Sequence, residues 1–425
     1  FNINDLELLH CDSTYWTAFM DYHFNKPVQE GVAIVDGLIQ AELRTKLQEN
    51  IDTFAKKQES DNLVDYHPNS NNVVRDLIHP GLYSYLKDVS PLRASVDDVP
   101  PCIFPREKDP VPTVSKNKDF WDRKYENSNH QWLPTYFSVS TSGKCTIDDY
   151  INNLTPRDDP INEPLYKTLE QLFEKFLPFM ESVYSYVRAI RPVLRISSHD
   201  DFNDESIKPL KLNYYSFRGQ KLQVITKIVD YELRPGQSHQ GVWHVEGMSH
   251  EEIVLTALYI LDRDDSIEGG DLMFQRGFLK TESTYIFSNV AQMRPDDMDA
   301  IVTKGLAALG KADTRKGRLI VFPNSHIHKV TEMINTQEED EPNEPMSKRQ
   351  KHEKNRKIAR RRIVVFFLVN PMRRIVSARE VAPQQEHSGG SMTRADALQN
   401  RLDLMHERKY NKQNWNVRRV ELCEH

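Results

Sequence analysis

Apolar positions change their period along this chain of 425 residues. From residue 1 to about 197, helical spacing alternates with irregular stretches. In AELRTKLQENIDTFAKK, Leu43, Leu47, Ile51 and Phe54 recur at intervals of three and four, which predicts an amphipathic helix. EPLYKTLEQLFEKFLPFMESVYSYVRAI carries a stronger stripe of Leu165, Leu169, Leu172 and Phe176, and predicts a second helix, broken or kinked at Pro178. Between them, VPPCIFPREKDPVPTVSKNKDFW is too rich in proline for regular structure.

From about Lys211 to Asn370 the texture becomes strand-like. KLQVITKIVDYEL, EIVLTALYIL, GRLIVFP and RRIVVFFLVNP are short β-branched and aromatic runs bounded by Pro, Gly and Asp. Their spacing suits a double-sheet jelly roll carrying insertions. Two interruptions stand out: residues near Pro295 to Leu309 read as helical, and a charged insertion at about 336–359 has almost no large apolar groups. From Met392 onward, TRADALQNRLDLMHERKY reads as a bracing helix capped by Thr393, with Leu398, Leu402 and Met405 on one face. The predicted organisation is α+β: a helical and irregular N-terminal region over 1–197, a β core over 198–380 and a C-terminal helical brace over 381–425.

Charge and cysteine content narrow the setting. The formal net charge of −6 gives no electrostatic footprint for nucleic acid. Cys11, Cys102, Cys145 and Cys423 are scattered, with no zinc spacing and no disulfide framework, which points to a reducing, intracellular and cytoplasmic setting. No run approaches the roughly 20 apolar residues of a membrane span. The first residue is Phe rather than Met, so a removed targeting segment stays open. The basic run at 348–362 reads first as a solvated loop balanced by the acidic QEEDEPNE before it, and second as a nuclear signal.

Chemistry enters with GVWHVEGM. On an extended segment His244 and Glu246 share a face, which suits either a hydrogen-bonded pair at a core edge or two-thirds of a metal site. The company of this segment favours the metal. GGDLMF follows as a strand opened by a Gly-Gly turn, GRLIVFPNSHIHKV as a buried strand ending in two histidines, and RRRIVVFFLVNP as a buried strand with a basic start. Two histidines and one carboxylate occupy one face of iron(II) and leave positions open for 2-oxoglutarate and dioxygen. The far carboxylate of that cosubstrate calls for a fork-shaped guanidinium. Alternation leaves two choices open. His326 and His328 would share a strand face, and Arg361 and Arg362 would each lie on an apolar one.

This ordered string resembles the double-stranded β-helix (jelly-roll, cupin-like) core of iron(II)- and 2-oxoglutarate-dependent dioxygenases. More narrowly, it is similar to an uncharacterised, fungus-rich domain family with the WHVEGM motif. NVVRDLIHPGLY, DFWDRKYENSNHQWLPTYFSVS, YINNL and RLDLMHERKY resemble that family's other motifs in the same order. The resemblance implies His244, Glu246 and His328 as metal ligands, with His326 the second choice for the distal histidine. It implies Arg361 as the 2-oxoglutarate anchor, with Arg362 second. The implied reaction hydroxylates a C–H bond with dioxygen and releases succinate and CO2. The substrate is open between a small molecule and a protein side chain. Two positions depart from the common pattern: the carboxylate is Glu246 where the superfamily more often has Asp, and the narrower family's FWGR reads FWDR, with Asp122. Trp243, Met248, Trp121 and Arg123 are candidates for the substrate pocket; packing is the plainer role for Trp121 and Arg123, and a core role stands equally beside the pocket role for Trp243 and Met248. Two other readings stand beside this one: a cupin-like metal enzyme that does not use 2-oxoglutarate, and a non-catalytic jelly-roll scaffold for a protein partner.

Overall fold

The computed structural model describes residues 27–28, 31–93, 129–188, 214–277, 306–337 and 358–410. They are mostly sheet, with few helices. The β-branched runs form an eight-stranded sheet ordered Ala33–Val35, Leu319–Pro323, Ile253–Arg263, Ala359–Val369, Lys221–Leu233, Thr135–Val139 and Cys145–Ile147, with Val74–Ile78 also paired to Lys221–Leu233. The region expected to be helical thus adds four strands to this sheet. One three-stranded sheet joins Leu306–Ala312, Leu272–Gly277 and Ile327–Val330. Another joins Ile267–Gly269, Met333–Asn335 and Ser238–His239.

Alternation along the strand Ala359–Val369 divides the core in two. Val364, Phe366 and Leu368 face the helices Ala41–Ser60 and Asn162–Arg188, where Leu47, Ile51, Leu169, Phe173 and Phe176 complete one cluster. Phe366 packs edge-on against Phe137, Phe173 and Phe176, with ring centroids 5.9, 5.4 and 5.7 Å away. Ile363, Val365 and Phe367 face the other way, toward Leu258, Phe274 and Phe322. The second cluster holds the candidate site.

Several expectations are corrected. The helix Asn162–Arg188 continues through Pro178 instead of breaking there, and packing of Phe173, Phe176, Leu177 and Met180 offsets the missing N–H. Leu306 to Leu309 belong to a strand, not a helix, because pairing with Leu272–Gly277 overrides the helical preference of the alanines; the preceding residues lie outside the described ones. The C-terminal helix, Arg394–Tyr410, is capped by Thr393, whose hydroxyl accepts the Asp396 N–H at 3.1 Å. Its buried stripe is Ala397, Arg401, Leu404, Met405 and Arg408, while Leu402 is exposed. Most of the charged insertion lies outside the described residues.

Candidate metal centre

The segment around His244 is not a regular strand. It is extended and held by a single antiparallel bridge to His328, in which each backbone N–H donates to the other's carbonyl, at 3.0 and 2.9 Å. Gly241 lies so close to the Val330 backbone that a Cβ there would sit 3.2 Å from its nitrogen. Alternation still holds: His244 and Glu246 are buried, and Trp243 and Val245 are half-buried. The bridge seats the two imidazoles side by side, with ring centroids 4.3 Å apart.

Both rings are oriented by the same device. His244 Nδ1 donates to the Val242 carbonyl at 2.8 Å, and His328 Nδ1 donates to the His326 carbonyl at 3.1 Å. A carbonyl can only accept, so the proton of a neutral ring sits on Nδ1 and the Nε2 lone pair faces inward. The two Nε2 atoms lie 3.6 and 3.5 Å from the same carboxylate oxygen, Glu246 Oε1. Burial opposes charge on Glu246, but the hydrogen bonds and positive charge that the two imidazoles offer when they carry a proton on Nε2 outweigh it and hold the carboxyl well below its ordinary range. Burial, with His244 beside it, pushes the His328 imidazole down, so this ring stays neutral. Two lone pairs and a carboxylate thus converge on one point, a donor set suited to a divalent cation. Asn324, from FPN, clamps the Glu246 backbone: its Oδ1 accepts the N–H at 3.0 Å and its Nδ2 donates to the carbonyl at 2.9 Å.

His326 lies in the bend before the strand Ile327–Val330, so strand alternation does not apply to it, and it stands outside this cluster. The triad opens on a cavity whose walls include Leu258, Phe322, Val330 and Ile363 and whose lining also holds Arg361. Arg361 is fully buried. Its Nη1 donates to the Gly270 carbonyl at 2.8 Å and to Thr314 Oγ1 at 3.3 Å, and its guanidinium lies 5.0 Å from the Tyr231 ring centroid. Among the described residues no carboxylate comes within ion-pair distance, and Arg361 Nε has no hydrogen-bond partner. Burial lowers the pKa of Arg361 to about 10, so it remains a cation at neutral pH. Arg362 points the other way, to Asp230 at 2.6 Å through both Nε and Nη2 and to Asp52 at 2.7 Å.

Trp243 and Met248 do not line the cavity. Trp243 instead stacks beneath Lys329, whose Nζ is 5.1 Å from the ring centroid. Trp121 and Arg123 lie outside the described residues. Residues that the motifs did not single out also reach the cavity: His67, Ser70, Tyr231, His239 and Thr256. His67 arrives on a hairpin whose loop has Asn69, Asn71 and Asn72 at positive φ, a conformation asparagine tolerates. Its Nδ1 is 2.9 Å from Asp76 Oδ2, and Arg401 of the C-terminal helix pairs with Asp65 at 2.5 and 2.9 Å and reaches Asp76 at 3.4 Å. Two helical turns on, Arg408 holds buried Glu251 at 2.7 and 2.8 Å, and Glu251 accepts the Met248 N–H at 2.5 Å. The brace therefore supports both the His67 hairpin and the segment that follows Glu246.

His67, Asp76 and His79 also have ligand atoms within 4.8 Å of one another. This second group suits a cation poorly. His79 Nδ1 accepts the Gly81 N–H at 3.1 Å, which leaves the proton of the neutral ring on Nε2, and the Arg401 guanidinium opposes added positive charge.

A model of the family described as "Protein of unknown function (DUF4246)" matches residues 13–211 and 198–341. The chain belongs to this family. Within this DUF4246 chain the match takes in His244, Glu246 and His328 and ends before Arg361. No curated protein matches. Among solved structures, a prolyl hydroxylase from Trichoplax adhaerens, in complex with a hypoxia inducible factor peptide fragment, is 10% identical with a TM-score of 0.30, over 84% of this chain and 94% of that one. A full-length Neurospora crassa protein, in complex with alpha-KG, is 11% identical with a TM-score of 0.29, over 85% and 82%. A Pseudomonas putida prolyl-4-hydroxylase is 8% identical with a TM-score of 0.26, over 80% and 94%. Likeness at these TM-scores carries no argument about the reaction, and the case rests on the DUF4246 chain's own residues.

Proposed function

We propose that this DUF4246 protein is an iron(II)- and 2-oxoglutarate-dependent oxygenase on a double-stranded β-helix core spanning about 198–380, of the kind its WHVEGM resemblance suggests. One observation carries the reading: a buried guanidinium without a carboxylate shares a cavity with two imidazole lone pairs and a carboxylate. Leaving a buried charge uncompensated costs several kcal/mol, and a dicarboxylate bound between Arg361 and the metal would remove that cost. A metal enzyme without 2-oxoglutarate would have no use for this cation.

In this reading His244, Glu246 and His328 hold iron, and Arg361 takes the far carboxylate of the cosubstrate. With 2-oxoglutarate and dioxygen, the metal supplies the oxidising power for C–H hydroxylation, with release of succinate and CO2. The protein does the positioning. Tyr231 and the Gly270 carbonyl hold the guanidinium plane, Val242 and His326 carbonyls aim the imidazoles, and Leu258, Phe322 and Ile363 keep water from the reacting centre. The test is release of succinate by purified protein given iron(II), ascorbate and 2-oxoglutarate. No succinate and no bound iron under any condition would overturn the reading.

A further inference from the structure

The cavity contains a hydroxyl that the fold does not use. Thr256 is 1% exposed, lies on the strand Ile253–Arg263 between Phe322 and Phe367 of the neighbouring strands, and lines the cavity. Its Oγ1 is buried with no hydrogen-bond partner. The next residues on the same face, Leu258 and Ile260, are apolar. A buried hydroxyl left unpaired is destabilising, and valine would fill the same volume without that cost. Retaining the hydroxyl makes physical sense if a ligand meets it.

Charge says what kind of ligand. Among the described residues the charged side chains lining the cavity are Glu246 and Arg361, besides His67, which is paired with the buried Asp76 carboxylate. Burial, with Arg361 nearby, pushes the His239 imidazole down toward its neutral form. Under the reading proposed above, a divalent ion, Glu246, Arg361 and a dianionic cosubstrate sum to zero. An ammonium, carboxylate or phosphate entering next would then be buried unpaired.

We propose that Thr256 forms the polar subsite for an uncharged hydrogen-bonding group of the substrate, a hydroxyl or carboxamide, on an otherwise apolar molecule. The proposal rests on the oxygenase reading for its charge sum, but not for its contacts.

Calorimetric titration of the manganese(II)- and 2-oxoglutarate-loaded protein tests it with four matched probes: hexanamide, hexan-1-ol, hexanoate and hexan-1-amine. The two uncharged probes should bind at least about tenfold more tightly than the charged pair, and Thr256→Val should lose about tenfold of that affinity. The same variant should melt no lower than the wild type, an outcome that a purely structural hydroxyl would not combine with lost binding. An acetylated Gly-Gln-Gly amide, carrying the carboxamide on a peptide, separates a polypeptide source from a free molecule. Preference for a charged probe, binding of none of the four, or full affinity in Thr256→Val overturns the subsite. Thr256-dependent hexanamide binding to metal-free protein, where succinate is never released, would sink the oxygenase reading and leave the subsite standing.

Discussion

Arg361 and Arg362 are adjacent in the chain and lie buried on opposite faces of one strand, one without a carboxylate partner among the described residues and the other held by two. The same residue type therefore does opposite work at neighbouring positions. Arg362 ties the strand Ala359–Val369 to Asp230 of the adjacent strand and to Asp52 of the helix Ala41–Ser60. Arg361 is kept charged in an apolar cavity by a carbonyl, a threonine hydroxyl and an aromatic face.

Replacing each arginine by methionine should separate the two roles. Arg362→Met strands the buried carboxylate of Asp230 and should cost about 3–5 kcal/mol in denaturant unfolding. Arg361→Met removes a buried cation that lacks a carboxylate, so stability should hold or rise. Its 2-oxoglutarate affinity should instead fall at least about 30-fold, equivalent to about 2 kcal/mol. Equal stability losses, with cosubstrate binding unchanged, would show that Arg361 is a packing residue.

The two histidines of HIH should differ just as sharply. His328→Ala removes an Nε2 that faces Glu246 and should abolish cobalt(II) binding, followed by the visible spectrum of the ion. His326→Ala should keep it, because His326 orients its neighbour through a backbone carbonyl that alanine retains. Loss of cobalt in the second variant and not the first would reassign the distal ligand.

Much of this site was legible in the sequence because it is local. GVWHVEGM and SHIHKV carry the clustered side chains within a few residues, and alternation put His244 and Glu246 on one side even without a regular strand. The choice between Arg361 and Arg362 was not legible, since both faces of that strand are apolar and only the placement of Asp52 and Asp230 tells them apart. His67 and Thr256 were invisible for a related reason. A lone histidine in HPNSNN and a lone threonine in IVLTALYIL gain meaning only when the hairpin and the strand reach one cavity. The helical expectation near Leu309 failed because the local preference of alanine and the pairing of a strand are different scales of cause, and pairing won.

The Gly-Gly turn gives a test of how Arg361 is seated. Gly269 and Gly270 both have φ of +72°, and a Cβ on Gly270 would lie 2.7 Å from Arg361 Nη1. Gly270→Ala should therefore cost about 1–2 kcal/mol for the left-handed backbone and push the guanidinium from the carbonyl that holds it. Cosubstrate affinity should fall while cobalt(II) binding persists. Loss of both together would mean that the turn supports the whole site rather than the arginine.

Acid sensitivity should originate partly behind the cavity wall, at His79 and Asp76. Burial pushes the His79 imidazole well below its ordinary value, with Lys227, His67 and Arg401 adding to burial and Asp76 opposing it. The folded protein therefore binds fewer protons at His79 than the unfolded chain does below the ordinary value of 6.5. Where the unfolded state holds more protons, stability rises with pH. The contribution of His79 is thus fully present above that value and is lost as pH falls, by up to about 1.4 kcal/mol per unit. Asp76 has the same sign in a lower window. Burial would raise it, but His79 and His67 outweigh burial and hold it well below its ordinary value of 3.8, so its contribution is present above that value and fades below it. Urea unfolding of His79→Gln should therefore show a flatter profile between about pH 6.5 and 5 than the wild type. Asp76→Asn should instead flatten the limb below about pH 4. Identical pH slopes in all three proteins would place the acid sensitivity elsewhere in the molecule.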